Sequence, residues 1–395
     1  MGMWRLSTIF LCCVVAAGQL PSTGDARLDR IRLLMANNLI HLPNYTCLMT
    51  IDRSVKSGGR NAYMTHEDTL RLEVAELGEK ELVGWPGSKL GEEKMEEMIG
   101  RGLIASGDFG SLANAIFRTR DPKFDLVGEK KLRGRQTVEY AFRVERNVSE
   151  YQVSNGRDKE IVGYHGFLWA DAQTLELMRL EVIIDEIPRK MEMIRADTGI
   201  DYQRSHIGDG DFLLPAKVDR TLENSDHSFR QNVSTFTACK QYGTESVLKF
   251  DEAQQTPAAM QQVVEVRLPA GVRLPVKIET VLDAHKAATG DPVMARTTAE
   301  VRAGDIVIPA GSEVQGRIRD LRRSSNFGTL ALQMEFTQIR APGLIADFKA
   351  FLEEAEKRKG VQRTDVLTVP GSLLVQDKYL NLAGMALVYR TLSAQ

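Results

Sequence analysis

The residue types that carry chemistry are present in this chain but are not gathered. Six histidines stand at positions 41, 66, 165, 206, 227 and 285, and no two share metal-ligand spacing on one element. A zinc site needs clustered ligands in a closed geometry. The nearest approaches are His66-Glu67-Asp68 and the run from His206 to Asp211. The GDGD within that run (208–211) offers oxygens to calcium, and it suits a tight hairpin turn equally well. No serine lies in a G-x-S-x-G elbow. Cys239 has neither a helix start nor a base beside it to activate a thiolate. The pairs Gly58-Gly59 and Gly100/Gly102 do not lie between a strand and a helix, as a phosphate loop requires. Glu92-Glu93 and Glu353-Glu354 fall in runs that read as solvated faces. Neither catalysis nor a metal or cofactor is expected, and a hydrolase with an unrecognised site is the weakest of the readings.

Binding is better represented. GRIRDLRRSSN (316–326) is the one basic cluster, with Arg317, Arg319, Arg322 and Arg323. It fits anionic lipid headgroups, a glycan polymer or an acidic partner. The alternative is a strand end whose arginines face water and pair with Asp320. A second group is apolar: Leu72, Val74, Trp85, Phe109, Leu112, Ile116, Phe117, Tyr140, Phe142 and Trp169. These residues line a lipid cavity if the sheet that carries them is open, and they are core if it is closed. The third group is the pair Cys47, inside YTCLMTIDR (45–53), and Cys239, inside STFTACKQYGTES (234–246).

The elements that must position these residues read mostly as strands. Residues 1–26 resemble a secretory leader, with Arg5 ahead of LSTIFLCCVVAAG (6–18) and small residues at Ala16, Ala17, Gly18 and Ala26. The apolar run is shorter than the roughly 20 residues of a membrane span. Cys12 and Cys13 lie in it and leave with it; an uncleaved anchor is the other reading. The remainder is expected to be exported. With 43% hydrophobic and 26% charged residues and a net charge of −2, the chain can bury a core and has no general attraction to nucleic acid.

After the leader, ARLDRIRLLMANNLIHL (26–42) puts Leu28, Ile31, Leu34, Met35 and Leu39 on one helical face. Alternating segments follow over 45–53, 68–76 and 81–85. Two helical patterns, 91–102 and 107–117, interrupt them, the second with Asp108 as cap. Strands then run from 123 to 250, with hairpin turns at 171–174 and 208–211. Cys47 is thus placed on the first strand and Cys239 on the penultimate one. They form either a disulfide or a pair of buried thiols, and export favours the disulfide. It would close a loop of about 190 residues, worth at most about 5 kcal/mol.

This order resembles the LolA/LolB-like fold of outer-membrane lipoprotein sorting. The resemblance covers residues about 27–250, in NYTCLMTIDR, EVAELGEKELVGWPGS, KLRGRQTVEYAF and YHGFLWADAQTLELMRLEV. It implies a mainly β (α+β) fold: a curved antiparallel half-barrel, plugged by helices, holding an acyl chain. DEAQQTPAAMQQ (251–262) reads as a linker. Beyond it, LPAG (268–271) is echoed by IPAG (308–311), a weak internal repeat. The pattern over 264–340 resembles the TrbI-like β-barrel of conjugation and type IV secretion proteins, which implies a second small β-barrel domain over 263–395. In its tail, 343–360 is expected to be strand in its first half and a solvated loop in its charged second half, with a helix from Ala346 as the alternative. GMALVYRTL (384–392) is expected to be the closing strand.

The expectation is an exported, non-enzymatic cell-envelope protein of the bacterial periplasm. It would bind a lipid or acyl chain in its first domain and touch an envelope protein partner through its second, peripheral to a membrane at most. The alternative is a structural or interaction scaffold whose sheet is filled by its own side chains.

Overall fold

The structure is a computed structural model that describes residues 23–59, 62–78, 80–88, 90–91, 98, 110–120, 122–243, 263–324, 328–364 and 371–393. The expected leader up to residue 22, the linker 251–262, the last strand of the first run (245–250), Phe109 and all of the helix 91–102 except Gly91 and Met98 lie outside the described residues. The fold is mainly β.

Helix α1 (Ala26–His41) opens on Asp25, whose carboxylate accepts the backbone N–H groups of Arg27 and Leu28 at 2.8 and 3.3 Å. That satisfies two of the donors a helix start leaves open. Its inward stripe is Leu28, Ile31 and Met35, joined by Arg32. Strands β1 (Tyr45–Lys56), β2 (Thr65–Leu77) and β3 (Lys80–Gly84) come next, then the short helix α2 (Ser111–Phe117). Strands β4 (Lys123–Leu132) and β5 (Arg135–Val144) follow, then a ribbon of β6 (Gln152–Ser154) and β7 (Lys159–Ile161). The run continues with β8 (Tyr164–Asp171), β9 (Leu177–Ile184), β10 (Met193–Ile207), β11 (Gly210–Asn224) and β12 (Phe229–Gln241).

Ten of these strands form one antiparallel sheet in the order β3-β2-β1-β12-β11-β10-β9-β8-β5-β4. The meander is broken once: β12 comes back to pair with β1. The GDGD sequence makes the hairpin between β10 and β11, with Ile207 opposite Gly210 and Gly208 at φ +60°.

The second sheet uses β13 (Val264–Arg267), β14 (Arg273–Ile278), β15 (Pro292–Thr297) and β18 (Glu313–Ser324), while β16 (Val301–Ala303) and β17 (Ile306–Ile308) form a separate two-stranded ribbon between β15 and β18 in the chain. It continues through β19 (Thr329–Ala341), β20 (Leu344–Asp347), β21 (Ala350–Ala355), β22 (Val361–Thr364), β23 (Ser372–Gln376) and β24 (Ala386–Thr391). Its order is β13-β20-β19-β18-β15-β14-β24-β21, with β23 and β22 added along β19, and it curls around its own apolar cluster.

Two tail expectations are corrected. The strand reaches further than expected: β21 carries Glu353 and Glu354, which pair with Arg390 on the adjacent β24 and Arg273 on β14 beyond it, and only 356–360 of the charged half lie outside a strand. The last strand, β24, lies inside the sheet between β14 and β21 and does not close it.

The internal repeat is carried by hydrogen bonds as well as by sequence. Gly271 and Gly311 both take left-handed φ, +86° and +83°, which only glycine adopts without strain. Each turn is pinned by one buried threonine. Thr391 Oγ1 donates to Pro269 O at 2.6 Å and accepts Val272 N–H at 2.9 Å, and its carbonyl accepts Gly271 N–H at 2.9 Å. Thr297 does the same for Pro309 at 2.8 Å, Ser312 at 3.0 Å and Gly311 at 2.8 Å.

Candidate functional site

The face of the first sheet that α1 and α2 cover is built in rungs, because residues in direct register point the same way. One rung is Leu72, Met49 and Phe236; the next is Leu70, Ile51, Ser234, Val218 and Ile200. On it lie Leu28, Ile31 and Met35 of α1 and Leu112, Ala113, Ile116 and Phe117 of α2, in one apolar cluster. Leu72, Val74, Ile116 and Phe117 are all 0% exposed. A side chain without accessible surface has no water-sized space beside it, so these four are closely packed.

The rung after Leu70 and Ile51 changes character. Asp68, Arg53, Asn232, Arg220 and Thr198 stand in register across β2, β1, β12, β11 and β10, and all are buried. Arg53 holds Asp68 in a two-pronged ion pair, Nε to Oδ1 and Nη2 to Oδ2, both at 2.6 Å. Arg220 Nε donates to Thr198 Oγ1 at 3.3 Å. The apolar trough is therefore bounded on this side by a polar bar.

Cys47 and Cys239 form a disulfide between adjacent strands β1 and β12. Cys47 opposes both Ala238 and Cys239 at a bulge, where the register jumps from Thr46↔Lys240 to Leu48↔Thr237. The extra residue, Ala238, takes φ +49°.

Of the apolar residues singled out in the sequence, Leu72, Val74, Leu112, Ile116, Phe117, Tyr140 and Phe142 meet in this cluster. Trp169 does not. The two-residue period turns it to the opposite face from Leu168, where Lys130 Nζ sits 4.6 Å from its ring centre. Trp85 lies at the rim, and its indole is stacked by Arg317 and Arg319 at 5.7 and 5.6 Å.

The basic cluster thus faces the first sheet. Arg319 Nη1 also donates to the carbonyl of Met98 at 2.8 Å. Arg322 pairs with Asp320, and Arg323 lies 3.5 Å from Asp377. Beside them the turn at Thr289 extends the edge of β2 beyond the end of β3. Thr289 N–H donates to Thr69 O at 2.9 Å, and Arg71 N–H donates to Thr289 O at 2.7 Å. Arg71 also pairs with Asp291. Gly290 is required here: its φ is +100°, and a Cβ would stand 2.1 Å from Arg71 O. A cavity of about 400 Å³ opens at this junction, lined by Asp52, His66, Asp68, Thr69, His285, Ala287, Leu321 and Arg323.

His165 Nδ1 lies 2.7 Å from Asp185, and His206 Nδ1 lies 3.0 Å from Asp211 on an exposed hairpin. Among the described residues no serine hydroxyl or thiol is hydrogen-bonded to either ring, and no group of three His, Cys, Asp or Glu side chains gathers as a metal site. The polar bar and the Gly290 turn were missed in the sequence. The bar had one available signal: Arg53 and Asp68 occupy inward positions of otherwise apolar alternations.

No family model and no curated protein matches the chain. Solved structures do, at low identity. A DUF1329 family protein from Desulfovibrio piger is similar over 56% of this chain and 95% of its own, with 12% identity and a TM-score of 0.29. A LolA superfamily protein from Nitrosomonas europaea is similar over 53% and 92%, with 10% identity and a TM-score of 0.26. The MucA/MucB complex of Pseudomonas aeruginosa supplies a match over 92% of this chain and 94% of its own, with 11% identity and a TM-score of 0.18. Likenesses at this level carry no argument about what the chain does, and they do not bear on the TrbI-like resemblance of 264–340.

Proposed function

We propose that this chain is an exported, non-catalytic binding protein of the bacterial cell envelope. Its first unit, about residues 27–250, would take an acyl chain or another apolar chain in the place that α2 fills here. Its second unit, 263–395, would contact an envelope partner. The observation that carries the reading is the plug itself: a seven-residue helix with no side-chain cap at its start, laying Leu112, Ala113, Ile116 and Phe117 on the apolar face of the first sheet. A helix this short has little stability of its own and is held by burial. If it lifts, an apolar trough remains, and each methylene of a ligand buried there contributes about 0.8 kcal/mol. The disulfide supports an oxidising compartment. Among the described residues no helix is long and apolar enough to cross a membrane.

One observation favours the second reading, a scaffold filled by its own side chains: Leu72, Val74, Ile116 and Phe117 have no exposed surface. Native mass spectrometry of the purified chain, challenged with a fatty acid, separates the two. A saturable one-to-one complex is expected, tightened by Phe117→Ala, which opens space beneath α2. An apo mass at saturating fatty acid for both proteins overturns the carrier reading and leaves the scaffold.

A further inference from the structure

The seat of α2 on the first sheet is not wholly apolar. Gly110, from which α2 starts, is buried against the side chain of Glu76 on β2. A Cβ built on Gly110 would stand 3.1 Å from Glu76 Oε1 and 3.4 Å from Asn114 Nδ2. In register with Glu76 are Tyr45 on β1, fully buried, and Glu81 on β3. Like charges directly opposite on antiparallel strands repel. Arg118, the residue that follows α2, donates from Nη1 to Asn114 Oδ1 at 3.0 Å. Burial, with the neighbouring Glu81 adding to it, raises the Glu76 carboxyl to about 7.

We propose that the docking of α2 is a proton-dependent switch, seated while Glu76 is neutral and loosened when Glu76 ionises against Gly110. The inference concerns the seat alone and does not depend on what replaces the helix. Its sign follows from the two environments of one carboxyl. Under the docked helix Glu76 keeps its proton up to about pH 7, whereas with the helix lifted it falls toward its ordinary value of 4.5, short of it by the repulsion from Glu81 that remains on β3. Docking is therefore strongest below the lower value, weakens as pH rises between the two, and is weakest above the upper one. The full change in the docking equilibrium is at most on the order of a hundredfold.

Hydrogen exchange across residues 111–117 of the full chain, from about pH 5 to pH 8 and corrected for intrinsic rates, reads the switch directly. In the wild type, protection is expected to fall with a midpoint between the two values and to level off above about pH 7. Glu76→Gln is expected to give a flat, protected profile, and Glu81→Gln to move the midpoint to lower pH by relieving the repulsion. A flat wild-type profile, or a Glu76→Gln profile that keeps the wild-type pH dependence, overturns the proposal. Fatty-acid uptake followed on the same samples reports on the carrier reading separately, because the exchange profile needs no ligand.

Discussion

Asp25 does two jobs with one carboxylate. It caps α1, and its Oδ2 accepts the hydroxyl of Tyr140 at 2.7 Å. Burial works to raise its pKa, but the bonds from Tyr140, Leu28 and Arg27 hold it below the usual carboxylate range. This stabilisation is present above the unfolded-state pKa and is lost as pH falls through the lower folded-state value. Asp25→Ala should destabilise the chain by about 1–2 kcal/mol in denaturant unfolding near neutral pH, the difference shrinking in acid. The same residue bears on the expected leader. A cut after Ala26 would remove the cap, whereas a cut at Ala16, Ala17 or Gly18 keeps it. Amino-terminal sequencing of exported protein should therefore find a start ahead of Asp25.

At the buried pair, Asp68→Ala leaves the Arg53 charge without its two-pronged partner and should cost about 3–5 kcal/mol. The double change Arg53→Met with Asp68→Leu should be milder than that single change, by the same unfolding measurement. The cysteines were readable because both sit on clear alternations. The ion pair was not, since pattern reading treats an inward charge in a strand as noise when its cross-strand partner is unknown.

At the scale of elements, two short pieces carry disproportionate weight. The threonine-pinned turns make a paired prediction: Thr297→Val and Thr391→Val should each destabilise the second sheet by about 1–3 kcal/mol, as expected for orphaned buried groups. Similar losses, seen in the unfolding midpoints of both variants, would establish the repeat as an energetic one; a loss at only one would show that the two turns are not equivalent. The repeat was visible in sequence as LPAG and IPAG, but its threonines were not. Thr391 lies 120 residues from Gly271 in the chain, and only sheet pairing brings them together. The strand β21 escaped for the converse reason: its glutamates look solvated until arginines from β14 and β24 are set beside them.

For the molecule as a whole, the junction between the sheets decides how the two cores move. Trp85 against Arg317 and Arg319, the Thr289 edge pairing and the Arg71–Asp291 pair fix one sheet against the other. Gly290→Ala cannot fit without moving Arg71 O. It should leave both cores folded by circular dichroism while increasing the radius of gyration in small-angle scattering; an unchanged radius would mean that the turn is not what holds the sheets together. The sequence could show two β-rich stretches but not this contact, because edge pairing through main-chain atoms leaves no signature in side-chain pattern.

The return of β12 to β1 also sets a timetable. Strands β1, β2 and β3 can pair as soon as they emerge, yet the other side of β1 stays unpaired until a strand 192 residues later arrives to form the Cys47–Cys239 bond. At about 5–20 residues per second of synthesis, that interval is on the order of ten to forty seconds. Throughout it an apolar strand edge stands open to any neighbouring chain. The bond between the two cysteines locks the pairing that closes the sheet's last gap, so oxidation of this pair and completion of the first sheet favour each other.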